Sequence, residues 1–240
     1  MSLSRPTLVL LPGLAADAEM WRAQLDALAS PWQPRVADVN RHHDTIEAMA
    51  AALLAQHAGE LVLCGASMGG IVAMEAARQA PQRIRALALL GTNARPETDD
   101  MRALREGAIA LFAKGQVREV IEPNVALAFH PDQAQDAALT GAYLEFVLRA
   151  GADQLIRQNR AIMARPDARL HLPRLRCPTL VMCGDADQLT PPECSREIAA
   201  LVPLAQLVMV PRCGHMLTME RPDVVNATLH TWLQSLPKLP

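Results

Sequence analysis

One stretch limits what this chain can become: Leu61-Val62-Leu63-Cys64-Gly65-Ala66-Ser67-Met68-Gly69-Gly70-Ile71-Val72-Ala73-Met74. Its first half is apolar with no polar alternation, the pattern of a strand buried on both faces of a parallel sheet. Its second half runs into Ala, Met and Glu, which are good helix formers. Between the halves stands Gly-x-Ser-x-Gly. A strand turning sharply into a helix at that point holds its serine at the tip of a strained turn. The N-terminal end of the helix then favours developing negative charge beside it. Gly65 and Gly69 carry no Cβ, so helix and strand are free to pack closely. Twelve glycines and six serines in 240 residues supply only about 0.015 such matches by chance, before the strand and helix are demanded.

Around this stretch the chain alternates strands with helices. Thr7–Leu11 is expected as the first strand, ended by Pro12-Gly13. A helix over Glu19–Leu28, a short strand over Pro34–Val39, and a helix over Asp44–His57 with Asp44 as its N-cap follow. The helix after Ser67 should end near Pro81, and Ile84–Leu90 reads as the next strand. Such alternation implies parallel βαβ units with right-handed crossovers. From about Asn93 to Pro173 strand-like runs vanish, and helices are expected over Asp99–Lys114, Val117–Glu122, Asp132–Ala150 and Asp153–Ala164. Pro123-Asn124 and Gly151 punctuate them. A helical insertion between two strands is read as a cap over the carboxyl edge of the sheet. The division is a core of residues 1–93 and 174–240 with a cap of 94–173. Phe112, Phe129, Tyr143 and Phe146 all fall in the cap, either packing within it or lining an apolar pocket. Strands over Pro178–Cys183 and Gln206–Val210 and helices over Pro192–Leu201 and Arg221–Leu236 complete the pattern.

Composition removes several functions. Half the residues are hydrophobic but only 3% aromatic, so Leu, Ala, Val and Met must build the core, and 240 residues suffice for one large α/β domain. A net charge of −2 leaves no basic footprint for nucleic acid and no polybasic patch for a membrane surface. Leu8–Leu11 is too short for a signal sequence or a membrane span, so a soluble, cytoplasmic protein is expected. The five cysteines, Cys64, Cys177, Cys183, Cys194 and Cys213, lack the paired spacings of disulfide or zinc frameworks, and none has the context of Ser67. His42 and His43 lie near Asp38 and Asp44, but no third spaced ligand follows. This loop is read as solvated rather than metal-binding.

A serine hydroxyl is a weak nucleophile until a base takes its proton, and the base works best when a carboxylate fixes its tautomer. Asp187 and His215 each stand just past the end of a predicted strand, the edge where open α/β sheets place their sites. The order Ser67, Asp187, His215 is the one expected for a nucleophile elbow on such a sheet.

Over nearly its whole length the chain resembles the α/β-hydrolase-fold superfamily. Gly65-Ala66-Ser67-Met68-Gly69 is similar to the family's elbow, Gly184-Asp185-Ala186-Asp187-Gln188-Leu189-Thr190-Pro191 to its acid loop, and Gly214-His215 with Glu220-Arg221-Pro222 to its histidine loop. The resemblance implies Ser67 as nucleophile, His215 as base and Asp187 as acid, with Asp185 the rival acid. The implied oxyanion donors are the backbone N–H groups of Met68 and Leu14. Leu14 belongs to Leu11-Pro12-Gly13-Leu14, which departs from the family's His-Gly turn by having no histidine. Too little chain precedes Thr7 for the β-hairpin many relatives carry, so about six mostly parallel strands are expected. The family's Asp-x-x-Gly-x-Gly-x-Ser loop is also replaced, by Asp38-Val39-Asn40-Arg41-His42-His43-Asp44.

The implied activity is a cofactor-free serine hydrolase of small carboxylic esters, with thioesters or lactones as variants and a small-molecule acyl ester as substrate. Two other classes stay open. A lyase of the menaquinone-synthase type keeps these residues but binds a polycarboxylate, and Arg160 or Arg165 of the cap would have to supply the missing cation. A non-catalytic binding protein would reuse the fold alone. Perhydrolase chemistry is a variant of the same site, and neither the physiological substrate nor the oligomeric state is legible.

Overall fold

The computed structural model describes residues 5–237, so the first four and last three residues of the expected core lie outside it. Six strands are present among the described residues: β1 (Thr7–Leu11), β2 (Arg35–Val36), β3 (Leu61–Ala66), β4 (Ile84–Leu90), β5 (Thr179–Gly184) and β6 (Ala205–Val210). All pair in parallel, in the order β2-β1-β3-β4-β5-β6. The chain leaves β1 on one side to form β2 and returns on the other to form β3. The switch point, where such sheets open a crevice at the carboxyl ends, therefore lies between β1 and β3. Those two strands end at Leu11 and Ala66, just before Leu14 and Ser67.

Period-two burial divides the core into two layers. Leu8, Leu10, Val62, Cys64, Ala88 and Leu90 face one side and pack with Trp21 from the 3-10 turn Ala18–Trp21 and with Leu229 and Trp232 from α10 (Pro222–Ser235). Val9, Leu11, Leu61, Leu63, Leu87 and Leu89 face the other. There they meet α3 (Ile46–Gln56), α4 (Met68–Gln79) and α8 (Pro192–Leu201). Every residue of β3 is buried, and each large aliphatic side chain so placed contributes about 1.5–3 kcal/mol.

Between β4 and β5 the chain is helical throughout: α5 (Asp99–Phe112), α6 (Val117–Ile121), a 3-10 run over Glu122–Ala128, α7 (Ala137–Met163) and two short 3-10 turns. The two helices expected over Asp132–Ala150 and Asp153–Ala164 are one element broken at Gly151, whose φ of 75° is open to glycine. Its N-terminus lies later than expected. Residues 131–135 form turns, and the Asp136 carboxylate accepts from the N–H groups of Ala138 and Leu139.

Other boundaries shift for local reasons. The expected helix Glu19–Leu28 is a 3-10 turn, Ala18–Trp21, followed by α1 (Arg22–Ala27), with a further turn, α2, over Ala29–Trp32. Strand β2 is two residues rather than six. Ala37 N–H still reaches Leu10 O, but Val39–Arg41 then coils into a 3-10 turn. The N-cap of α3 is Thr45 rather than Asp44: Thr45 Oγ1 accepts from Ala48 N–H at 3.1 Å, while Asp44 faces Arg157 at 3.5 Å. A short α9 (Leu217–Glu220) precedes the closing helix α10.

Candidate active site

The turn between β3 and α4 is held by backbone groups. Ser67 has φ 51° and ψ −119°, a left-handed conformation that costs a non-glycine residue about 1–3 kcal/mol. Its N–H donates to Leu90 O at 2.9 Å, and its carbonyl accepts from Gly70 N–H at 2.9 Å and Thr92 Oγ1 at 2.7 Å. A Cβ on Gly65 would lie 2.3 Å from Gly69 O, and one on Gly69 would lie 2.1 Å from Leu11 O. The glycines of Gly-x-Ser-x-Gly are thus the contact between the helix and two strands, and no larger residue fits there.

Asp187 and His215 arrive from the loops after β5 and β6. His215 Nδ1 and Asp187 Oδ2 are 2.8 Å apart. Asp187 is buried, and its second oxygen accepts from the N–H groups of Leu189 and Thr190, each at 2.9 Å. Thr190 Oγ1 donates to Oδ2 at 2.8 Å and lies 3.2 Å from His215 Nδ1. Burial pushes the Asp187 carboxyl up, but the neighbouring His215 and the bonds from His215 and Thr190 outweigh it and hold the group below its ordinary value. An ionised Asp187 accepts from Nδ1–H, which leaves Nε2 with its lone pair. Asp185, the rival, is exposed and accepts from Cys213 N–H at 3.2 Å instead. Gly91 at the end of β4 lies under the pair: a Cβ there would stand 3.2 Å from Asp187 Oδ2 and 3.5 Å from His215 Nδ1.

The loop after β1 lies against the serine. A Cβ on Gly13 would be 3.3 Å from Ser67 Cβ and 3.9 Å from Ser67 Oγ. Neither Leu14 N–H nor Met68 N–H donates to any acceptor among the described residues, so both are free to receive a ligand oxygen. Ser67 Oγ likewise has no hydrogen-bond partner among the described residues, and the side-chain contacts of His215 there are those of Nδ1. Nucleophile–base contacts are often long in an unliganded enzyme and tighten with substrate.

The helical insertion closes over the histidine loop. Ala128 O accepts from the N–H groups of both His215 and Met216 at 3.0 Å, and a Cβ on Gly214 would strike the Phe129 carbonyl carbon at 2.5 Å. The buried Glu220 carboxylate joins the two segments, accepting from His130 N–H at 2.8 Å and Gly214 N–H at 2.9 Å. Burial pushes that carboxyl above its usual range against the pull of those two N–H groups. Phe129, Tyr143 and Phe146 stack edge to face at centroid distances of 5.5 and 5.1 Å, packing within the insertion.

Thr190 and Glu220 stand in the acid and histidine loops that the sequence marks, but without a role there; Thr92 and Gly91 carry no signal of their own. For Thr190 the Asp-x-x-Thr spacing, at which an aspartate caps its own turn, points to the role. The loop 38–44 was read as solvated, yet Val39 and Asn40 are buried. His42 is exposed, 3.6 Å from Asp38, and no group of three or more metal-ligating side chains occurs among the described residues. Arg165 is also committed, buried and forked onto Glu97 at 3.0 and 3.2 Å, with Arg105 on the same carboxylate at 2.6 Å. Arg160 lies on the exposed side of α7. The five cysteines are free, and burial pushes Cys183 up to about 12. A groove of about 880 Å³ opens at the far end of the sheet, against Pro6, Val62, Ile84 and Pro178 at the strands' N-terminal ends. It is remote from every residue of the site. No helix among the described residues is long and apolar enough to cross a membrane.

Residues 8–228 match the Alpha/beta hydrolase family. Among curated proteins, the chain is 25% identical over 225 residues to a pimeloyl-[acyl-carrier protein] methyl ester esterase of Nitrosomonas europaea, with 88% of each chain covered. Among solved structures it superposes on a thermophilic esterase from Thermogutta terrifontis with a TM-score of 0.88 and 27% identity, covering 98% of this chain and 92% of that one. The enol-lactonase of Burkholderia xenovorans LB400 shares the fold at a TM-score of 0.87 and 22% identity, covering 97% and 93%. The chain belongs to the alpha/beta hydrolase family and is a hydrolytic enzyme.

Proposed function

We propose that this alpha/beta hydrolase cleaves small carboxylic esters through an acyl-enzyme on Ser67, with His215 as general base, Asp187 as its orienting acid and residues 94–173 as a cap. The observation that carries the reading is the 2.8 Å contact between His215 Nδ1 and Asp187 Oδ2, made at the sheet edge where Ser67 stands on a left-handed turn. Asp187 holds Nδ1–H, so Nε2 accepts the Ser67 proton as Oγ bonds to the ester carbonyl carbon. The carbonyl oxygen becomes an oxyanion and takes the unpaired N–H groups of Leu14 and Met68, with the positive end of α4 behind it. Collapse expels the alkoxide, which takes the proton from His215. Water, deprotonated by the same Nε2, attacks the acyl carbon, and a second collapse returns Ser67 and releases the acid. Ester substrates are supported by the relatives named as esterases.

Of the two cations named for the lyase reading, Arg165 is spent on Glu97 and Arg160 is exposed on its helix. Hydrolysis of p-nitrophenyl esters from acetate to octanoate by wild type and Ser67→Ala tests the proposal. Wild-type turnover that is lost in the variant is expected, and the chain-length optimum sizes the acyl pocket. Equal turnover by both proteins contradicts it.

A further inference from the structure

The loop carrying Leu14 has one turn bond of its own, from Ala16 N–H to Gly13 O at 3.3 Å, and takes the rest of its support from elsewhere in the chain. Ala15 has φ 58°, a second non-glycine residue in the left-handed region, and such strain persists only where the surroundings over-determine it. The surroundings here are two buried amide side chains from distant parts of the chain. Gln158, fully buried on α7, accepts from Ala15 N–H through Oε1 at 2.6 Å. Its Nε2 donates to Asn40 O at 2.8 Å. Asn40, also buried, donates through Nδ2 to Gly13 O at 3.2 Å and Ala16 O at 3.3 Å. The two amides thus grip the loop on both sides of Leu14, at 13, 15 and 16, and leave the Leu14 N–H itself unpaired.

We propose that Gln158 and Asn40 are positioning residues that aim the Leu14 N–H at the oxyanion, so that the helical insertion and the oxyanion hole are set as one unit. This rests on the ester-hydrolase reading above. A preorganised donor acts on charge that develops in the transition state and little on the ground state. Loss of the network therefore lowers kcat and spares KM. The same two residues explain why the loop needs no histidine before Gly13: its geometry is fixed from outside.

The test compares wild type, Gln158→Met and Asn40→Asp on p-nitrophenyl acetate, with active sites counted by fluorophosphonate uptake. Gln158→Met keeps the length of the side chain and removes both hydrogen bonds. Asn40→Asp keeps its shape but sets a carboxylate oxygen against Gly13 O and Ala16 O, so Gln158→Met, which adds no charge, guards against that variant failing to fold. Each variant is expected to lose about 10- to 100-fold in kcat with KM within threefold, and the double variant to lose little more than the worse single one. Affinity for phenylboronic acid, whose tetrahedral serine adduct carries the negative oxygen, falls with kcat. Amide exchange at Ala15 quickens in Gln158→Met, a change confined to residues 13–16.

A rise in KM at constant kcat makes Gln158 a pocket residue and overturns the proposal. So does a fall in melting temperature with kcat per active site and boronate affinity unchanged, which describes a purely structural role. Wild-type turnover with undiminished variants overturns this inference alone. A wild type that hydrolyses no ester and takes up no fluorophosphonate overturns the parent reading and this one together.

Discussion

Ser67 and Leu14 stand on the turns that follow two adjoining strands, β3 and β1, and the chain holds them by different means. Ser67 is fixed by its neighbours in sequence: glycines at 65 and 69, carbonyl-to-amide bonds within the turn, and Leu90 and Thr92 one strand away. Leu14 is fixed from a distance, by Asn40 and, 143 residues beyond Ala15, by Gln158. The first arrangement is a local pattern with no tolerance for added atoms. The second is assembled only when the helical insertion docks. The helices between β4 and β5 meet the rest of the chain by both means: Gln158 through its side chain, and Ala128 O through the backbone N–H groups of His215 and Met216.

The largest effect separating the two carboxylates of the acid loop is on activity. Asp187→Asn should lower kcat/KM for p-nitrophenyl acetate by about 10⁴-fold, because a neutral amide no longer holds the imidazole in the right tautomer. Asp185→Asn, on the exposed face of the same loop, should stay within about twofold. Similar losses for both would break the assignment.

The backbone core should be intolerant where the insertion is permissive. Gly69→Ala pushes a methyl into Leu11 O and should cost about 4 kcal/mol in urea unfolding. Gly107→Ala, on α5 with nothing within 4 Å of its Cβ, should stabilise by about 0.5–1 kcal/mol. Between these lies an ionic cluster inside the insertion, where Glu97 takes both Arg165 and Arg105. Glu97 is held below its ordinary value: burial pushes it up, and the hydrogen bonds and charges of Arg165 and Arg105 prevail. Glu97→Gln leaves two cations short of their partner and should cost about 3 kcal/mol at pH 7. A lowered carboxyl contributes its stability fully above the ordinary value of about 4.3 and loses it as pH falls through the lower folded value. The gap in melting temperature between wild type and Glu97→Gln should therefore narrow below about pH 4. A gap unchanged at pH 3 would show that the pair does not supply it.

What could be read from the sequence follows the same line. The elbow turn and the six strands are legible because each rests on residues close together in the chain, a glycine-flanked turn or a short apolar run. Asn40 reads as part of a solvated loop, because nothing near it in sequence signals burial. Its partners are Gly13, Ala16 and Gln158, and only the fold brings them together. Gly151 is legible as the break between two helices, since its φ of 75° and ψ of 171° are non-helical and open to glycine. Thr45 displaced Asp44 as a cap because Asp44 faces Arg157, a partner invisible to local reasoning.

The most direct measurement of the central claim is the intact mass of the protein after fluorophosphonate treatment, followed by peptide mapping. Such a reagent needs the whole arrangement at once: an activated serine, its base and donors for the phosphoryl oxygen. A single adduct on Ser67, absent from Ser67→Ala and strongly slowed in Asp187→Asn, is the result expected. An adduct on another residue, or none from folded wild type, would contradict the account.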